Sequence, residues 1–137
     1  MATALAQGFV NAGLVTGRQI TAADPVEGAQ HAFAAAVGAK VSGANADVVG
    51  NANVLILATK PDQITTALGE IRSGFTGRHL LISIAAGVTL ARLEAGLPAG
   101  ARVIRVMPNT PALVGESATG YACGKSATAA DAELAQK

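Results

Sequence analysis

Few of the 137 residues combine the side-chain type and the spacing that chemistry needs. Asp24 ends a short apolar stretch and precedes Pro25. An acid at the end of the second strand of an α/β sheet can hydrogen-bond the adenosine ribose hydroxyls of NAD, and it would repel a 2′-phosphate. An Asp-Pro turn at a strand end accounts for the same residue, and both readings fit. Lys60, just past an apolar run, faces either a ligand or solvent. In Pro108-Asn109-Thr110-Pro111 two prolines restrain the backbone while Asn and Thr offer amide and hydroxyl groups. That combination suits a rigid loop facing a ligand. His31 and His79 have no acid or nucleophile at meaningful spacing and read as structural. Arg105 interrupts an apolar run and faces solvent or an acid. Cys123 reads as a small packed residue. The sequence holds no Ser/His/Asp set, no paired carboxylates and no metal-ligand spacing.

These residues take their meaning from the elements that must position them. Val54-Leu55-Ile56-Leu57 is an unbroken apolar run ending in Ala58-Thr59-Lys60-Pro61. Such a run predicts a strand covered on both faces, as in a parallel sheet between helices. Pro61 disfavours helix at Lys60 and closes the strand there. The plan repeats twice. Residues 80–84 end in Ala85-Ala86-Gly87, and residues 103–107 end in the loop at 108–111. The strand starts lie about 25 residues apart, the length of a strand-helix-strand unit. Three parallel strands would then end at one carboxyl edge, where ligands of open α/β sheets bind.

The intervals between strands read as helices. Residues 1–14 place Met1, Leu5, Phe9 and Ala12 on one face, with Gly13 past the end. A strand is expected at 19–23 and an Ala-rich helix at 26–37, stopped by Gly38. A minimal strand follows at 40–42, then a short helix at 46–50 with Asn45 as its N-cap. Residues 62–71 predict the crossover helix after the 54–57 strand, with Ile64, Leu68 and Ile71 facing the sheet. Thr89 caps the next helix, whose Leu90, Leu93 and Leu97 face inward. A weak last strand, possible in antiparallel sense, falls at 118–123, and a helix at 127–136.

Composition narrows the class. Half the residues are apolar but only 3% are aromatic, so the core must be built from Ala, Val, Leu and Ile. Ten Lys and Arg nearly balance nine Asp and Glu, without the basic excess of a nucleic-acid binder. No apolar run approaches the roughly 18–20 residues of a membrane span, and no secretory leader is recognisable. One cysteine excludes a disulfide framework, and a reducing cytoplasm is the expected home.

With these motifs laid out, the chain resembles the N-terminal domain of pyrroline-5-carboxylate reductase. The resemblance rests on residues 1–9, on Ala58-Thr59-Lys60-Pro61, on residues 83–89, and on residues 102–111 with Gly115-Glu116, in order and at matching intervals. It implies an α/β fold: a Rossmann-like doubly wound, mostly parallel sheet, incomplete at both ends. Residues 1–126 would be a partial NAD(P)-binding domain, and 127–137 the truncated start of the following helix. It also implies cofactor contacts at Met1, Asp24, Asn45, Ala58, Thr59, Lys60, Pro61, Ile84, Ala85 and Ala86, with NADP or NAD as cofactor. Met1 would match the last part of a glycine-rich phosphate loop, Asp24 the ribose contact, and Asn45 an Asn near the cofactor. Residues 58–61 and 84–86 would line the nicotinamide half.

The reaction implied is hydride transfer to the C=N carbon of 1-pyrroline-5-carboxylate, giving proline, with no catalytic side chain assigned. The cofactor carries that chemistry while the protein orients the reactants. A first strand with its G-x-G-x-x-G loop, and a helical domain that dimerises and grips the substrate, belong to the family but match nothing in these residues. The expectation is therefore a partial copy, a homo-oligomer in the family, with little turnover alone and unpaired strand edges where the first strand would lie. The alternatives are a non-catalytic nucleotide- or partner-binding Rossmann module and another NAD(P)-dependent Rossmann dehydrogenase.

Overall fold

In the computed structural model, residues 1–107 and 119–137 are described. The motifs at 108–111 and 115–116 lie outside the described residues. Two compact units are present, one holding Met1–Ala52 and the other holding residues 53–107 and 119–137.

The first unit opens with α1 (Ala2–Asn11). Gly13 ends it at φ 71°, with Gly13 N–H donating to Val10 and Leu14 N–H to Phe9. That pair of bonds is a Schellman cap, and its left-handed position favours glycine. A turn of 3-10 helix at Gly17–Gln19 leads into β1 (Thr21–Ala23). α2 (Glu27–Val37) follows and stops at Gly38, φ 74°. It returns the chain to β2 (Lys40–Ser42), which pairs parallel with β1, Thr21 opposite Lys40 and Ala23 opposite Ser42. α1 and α2 pack together, and Gln7 Nε2 donates to the Ala36 carbonyl at 3.3 Å. A Cβ at Gly17 would lie 2.1 Å from the Val37 carbonyl, so the backbones approach closely there.

α3 (Asn45–Asn51) corrects one expectation, because its cap is Ala44 and Asn45 is already helical. The start is held instead by Ser42, whose hydroxyl accepts from Ala44 N–H and donates to Asp47. An acid in the first turn also meets the positive end of the helix dipole.

The second unit is a sheet in the order β3-β4-β5-β6. β3 (Val54–Leu57), β4 (Leu80–Ser83) and β5 (Arg102–Met107) are parallel and in register, and β6 (Gly120–Cys123) joins β5 antiparallel. Between β3 and β4 run a 3-10 turn at Pro61–Gln63 and α4 (Ile64–Arg72), which buries Ile64, Ala67, Leu68 and Ile71. Between β4 and β5 runs α5 (Leu90–Ala95), with Thr89 Oγ1 accepting from Arg92 N–H at the expected cap. Leu93 and Leu97 are buried against the sheet side of this crossover, and Leu90 is half-buried. α6 (Ala129–Ala135) closes the unit with a capping box between Thr128 and Asp131. Asp131 also meets Arg102 of β5 at 2.7 Å.

Two side-chain expectations fail. β3 is not covered on both faces: Leu55 and Leu57 are buried while Val54 and Ile56 are 38% and 39% exposed. Successive side chains point to opposite faces, and the face that carries Val54 and Ile56 is left open at β3, which ends the sheet. Its backbone is open as well. Asn53 and Leu57 carbonyls accept from β4, so by alternation the amides and carbonyls of Val54 and Ile56 point away from it. Cys123 is exposed rather than packed, because β6 is solvent-facing along its whole length. His79 is fully buried, its ring 5.1 Å from that of Phe75, whereas His31 is exposed.

Candidate functional site

Parallel pairing in register brings strand ends to a common edge, and each unit has its own. In the first unit, Asp24 follows β1 and Asn45 lies just beyond β2. Asp24 does local work: Oδ1 accepts from Val26 N–H at 2.8 Å, and its carbonyl accepts from Gln30 Nε2 at 2.7 Å. This is the Asx turn that starts α2, and it leaves Oδ2 without a partner among the described residues. The turn reading of Asp24 is thus present in the geometry, and a second carboxylate oxygen remains for a ligand. Met1 precedes α1 and is 46% exposed.

In the second unit, residues 58–61 follow β3 and residues 84–86 follow β4, at one edge of the sheet. Ala58, Lys60, Pro61 and Ala86 are exposed, Thr59 and Ile84 half-buried, and Ala85 buried. Ile84 N–H donates to the Leu57 carbonyl at 3.1 Å, which ties the two loops at their roots. Ala85 N–H is within 3.4 Å of the buried Ser83 hydroxyl. Gly87 adopts φ 72°, a turn that a larger residue would resist, before Val88 is buried and α5 begins. Thr59 Oγ1 is shut off from solvent without a hydrogen-bond partner among the described residues. A buried hydroxyl of this kind is costly unless something else satisfies it.

A cavity that the sequence did not announce lies wholly in the first unit. It is an open cleft of about 590 Å³, lined by residues that include Arg18, Thr21, Lys40, Ser42, Asp47 and Asn51. Lys40 and Thr21 meet there only because β1 and β2 pair in register, and a linear spacing of nineteen residues carries no such signal. The cavity includes neither Asp24 nor Asn45.

A family model described as NADP oxidoreductase, coenzyme F420-dependent, matches residues 1–87. The chain belongs to that family. The pyrroline-5-carboxylate reductase of Methanosarcina acetivorans is 44% identical to it over 135 residues, 98% of this chain and 50% of that protein. Among solved structures, a pyrroline-5-carboxylate reductase from Coxiella burnetii matches 98% of the chain at a TM-score of 0.91 and 29% identity, over 50% of its own length. The Plasmodium falciparum pyrroline carboxylate reductase with NADP bound matches 97% at a TM-score of 0.84 and 26% identity, over 48% of its length. The chain therefore spans about half the length of these relatives. Its fold is the α/β, Rossmann-like arrangement of those reductases. Among the described residues no helix is long and apolar enough to cross a membrane, and no group of His, Cys, Asp and Glu could hold a metal ion.

Proposed function

We propose that this chain is the NAD(P)-binding part of a pyrroline-5-carboxylate reductase, which reduces 1-pyrroline-5-carboxylate to L-proline. The observation that carries the reading is 44% identity to a reductase of that name across 98% of the chain. On the first unit, the unused Asp24 oxygen suits an adenosine ribose hydroxyl, with Asn45 and Met1 as further contacts. On the second, residues 58–61 and 84–86 suit the nicotinamide. The buried, unpartnered Thr59 hydroxyl fits a polar group of that ring's carboxamide, and the exposed Lys60 fits a charged or polar neighbour. Ala58, Pro61, Ile84, Ala85 and Ala86 present small or apolar surface against which a planar ring can lie. When bound, the cofactor supplies the hydride, and these residues orient it. Asp24 favours NADH by charge, whereas the NADP-bound relative supports NADPH.

In this reading residues 1–126 bind the cofactor and 127–137 begin the next element. Most of the substrate grip and of the homo-oligomer contact falls to the part of the family that this chain does not span, and the setting is cytoplasmic. The test is a graft of residues 1–137 in place of the matching half of the Methanosarcina acetivorans relative. Oxidation of NADPH or NADH dependent on 1-pyrroline-5-carboxylate supports the reading, and a folded graft without it refutes it. Titration of the 137-residue chain with each nucleotide, read by fluorescence, decides the preference.

A further inference from the structure

Among the described residues, three buried side-chain polar atoms lack a hydrogen-bond partner: Thr59 Oγ1, Arg102 Nε and Arg105 Nε. Arg102 is otherwise well satisfied, since one terminal nitrogen meets Asp131 at 2.7 Å and the other the Arg78 carbonyl at 2.9 Å. Arg105 has nothing comparable. The contact its guanidinium makes is with the Met107 sulfur at 3.7 Å, a weak acceptor. No carboxylate of the described residues lies within ion-pair distance of it. A guanidinium half-buried in a strand without an oxygen acceptor stands ready for one from outside, and its planar fork matches a carboxylate or phosphate.

Register says where that acceptor would sit. Arg105 is opposite Ser83, which is opposite Leu57, so the three share a row and a face of the sheet. The strand ends that follow this row are the loops at 58–61 and 84–86, where Thr59 is the other unsatisfied group.

We propose that Arg105 is the oxyanion-receiving group at the carboxyl edge of this sheet. Resting on the function proposed above, its ligand is the carboxylate of the cyclic imino acid or a phosphate of the dinucleotide. The test uses the 137-residue chain and its Arg105→Met and Arg105→Lys variants, with L-proline and inorganic pyrophosphate as calorimetric probes and thermal melting alongside. The expected result is that the chain binds at least one probe, that Arg105→Met weakens it at least tenfold, and that Arg105→Lys retains it within about threefold. Because Arg105 meets no oxygen acceptor among the described residues, Arg105→Met should melt at or above the parent temperature. Loss of proline binding assigns the carboxylate, and loss of pyrophosphate binding assigns the phosphate. The inference is overturned if the parent binds neither probe, if Arg105→Met binds as the parent does, or if it only melts earlier. NADPH binding that is equal in the parent and Arg105→Met, with the probes unaffected, would leave the proposed function standing and remove this residue from it.

Discussion

The two units are built from the same kind of βα repeat yet differ sharply in what they bury. Among the described residues the first unit has three buried apolar side chains, Ala6, Val37 and Val49, and the second has fifteen. The first unit's strands are three residues each, Thr-Ala-Ala beside Lys-Val-Ser, and neither offers a large inward side chain except Val41. The second unit sets Leu80, Leu81, Val103 and Ile104, each at most 2% exposed, in adjacent strands, so that both faces of β4 and β5 carry buried side chains. A two-stranded sheet of this length is marginal in water, whereas three or more strands with a helix-covered face are not. The lesson is that a parallel βα plan specifies topology, while side-chain volume at the strand centres decides how much of a core each copy of it holds.

The most direct way to break that contrast is to empty one core position in each unit. Ile104→Ala should cost about 2–5 kcal/mol, since the site is closed on all sides and cannot collapse. Val37→Ala should cost only about 1–2 kcal/mol, the transfer of two methyl groups with little cavity left behind. Urea denaturation reads both, and equal losses would mean that the first unit holds a core as tight as the second. Next in size is Gly17→Ala, at about 1–3 kcal/mol, because the new Cβ would meet a backbone carbonyl that cannot swing aside. Its effect should appear as faster amide exchange confined to residues 1–52. Spread over both units, it would show that they do not unfold separately.

What the amino-acid pattern discloses follows from the same contrast. Leucine and isoleucine at helical spacing, as at Ile64, Leu68 and Ile71, report a buried face directly, and the structure buries all three. Thr89 as an N-cap and Gly13 and Gly38 past helix ends are local chemistry, legible without the rest of the fold. Strand faces are different. Val54 and Ile56 are as apolar as Leu55 and Leu57, and no period within four residues tells which pair is open; that depends on which face of β3 other elements cover. Cys123 misleads for the same reason. Asn45 looked like a cap because it is an Asn before a short helix, yet Ser42 and Asp47 satisfy the helix start. At the candidate site, position at a strand end was readable for residues 58–61 and 84–86, but the stranded atoms of Thr59 and Arg105 were not. Whether a polar atom finds a partner is a property of neighbours distant in the chain.

Acid sharpens the picture within the second unit. Burial alone would raise the pKa of Asp131, but the Thr128 amide and hydroxyl and the Arg102 guanidinium together hold it below the ordinary carboxylate range. A carboxyl whose folded pKa lies below its unfolded value of about 3.9 contributes stability that is complete above that value. That contribution is lost as pH falls through the folded pKa. The anchoring of α6 on β5 should therefore weaken below about pH 4. Asp131→Asn should cost about 1 kcal/mol at pH 7 and lose this part of the acid sensitivity. Denaturation midpoints of both proteins at pH 7 and pH 3 check it. A variant as acid-sensitive as the parent would place the effect on other carboxylates.

The smallest expected change in stability falls on β3 itself. Ile56 is 39% exposed on the open face, and its amide and carbonyl point to the free side of the strand. Ile56→Lys should alter the unfolding free energy by no more than about 0.5 kcal/mol, as surface substitutions generally do. Leu57→Lys, one residue on, should abolish folding of the second unit, because the neighbouring side chain points into its core. What Ile56→Lys should change is association: a charged lysine on an apolar strand edge opposes pairing with another chain, and light scattering at high concentration should fall. A stability loss at Ile56 approaching that of a core residue would mean that this side of β3 is covered. The open edge would then cease to distinguish β3 from its neighbours.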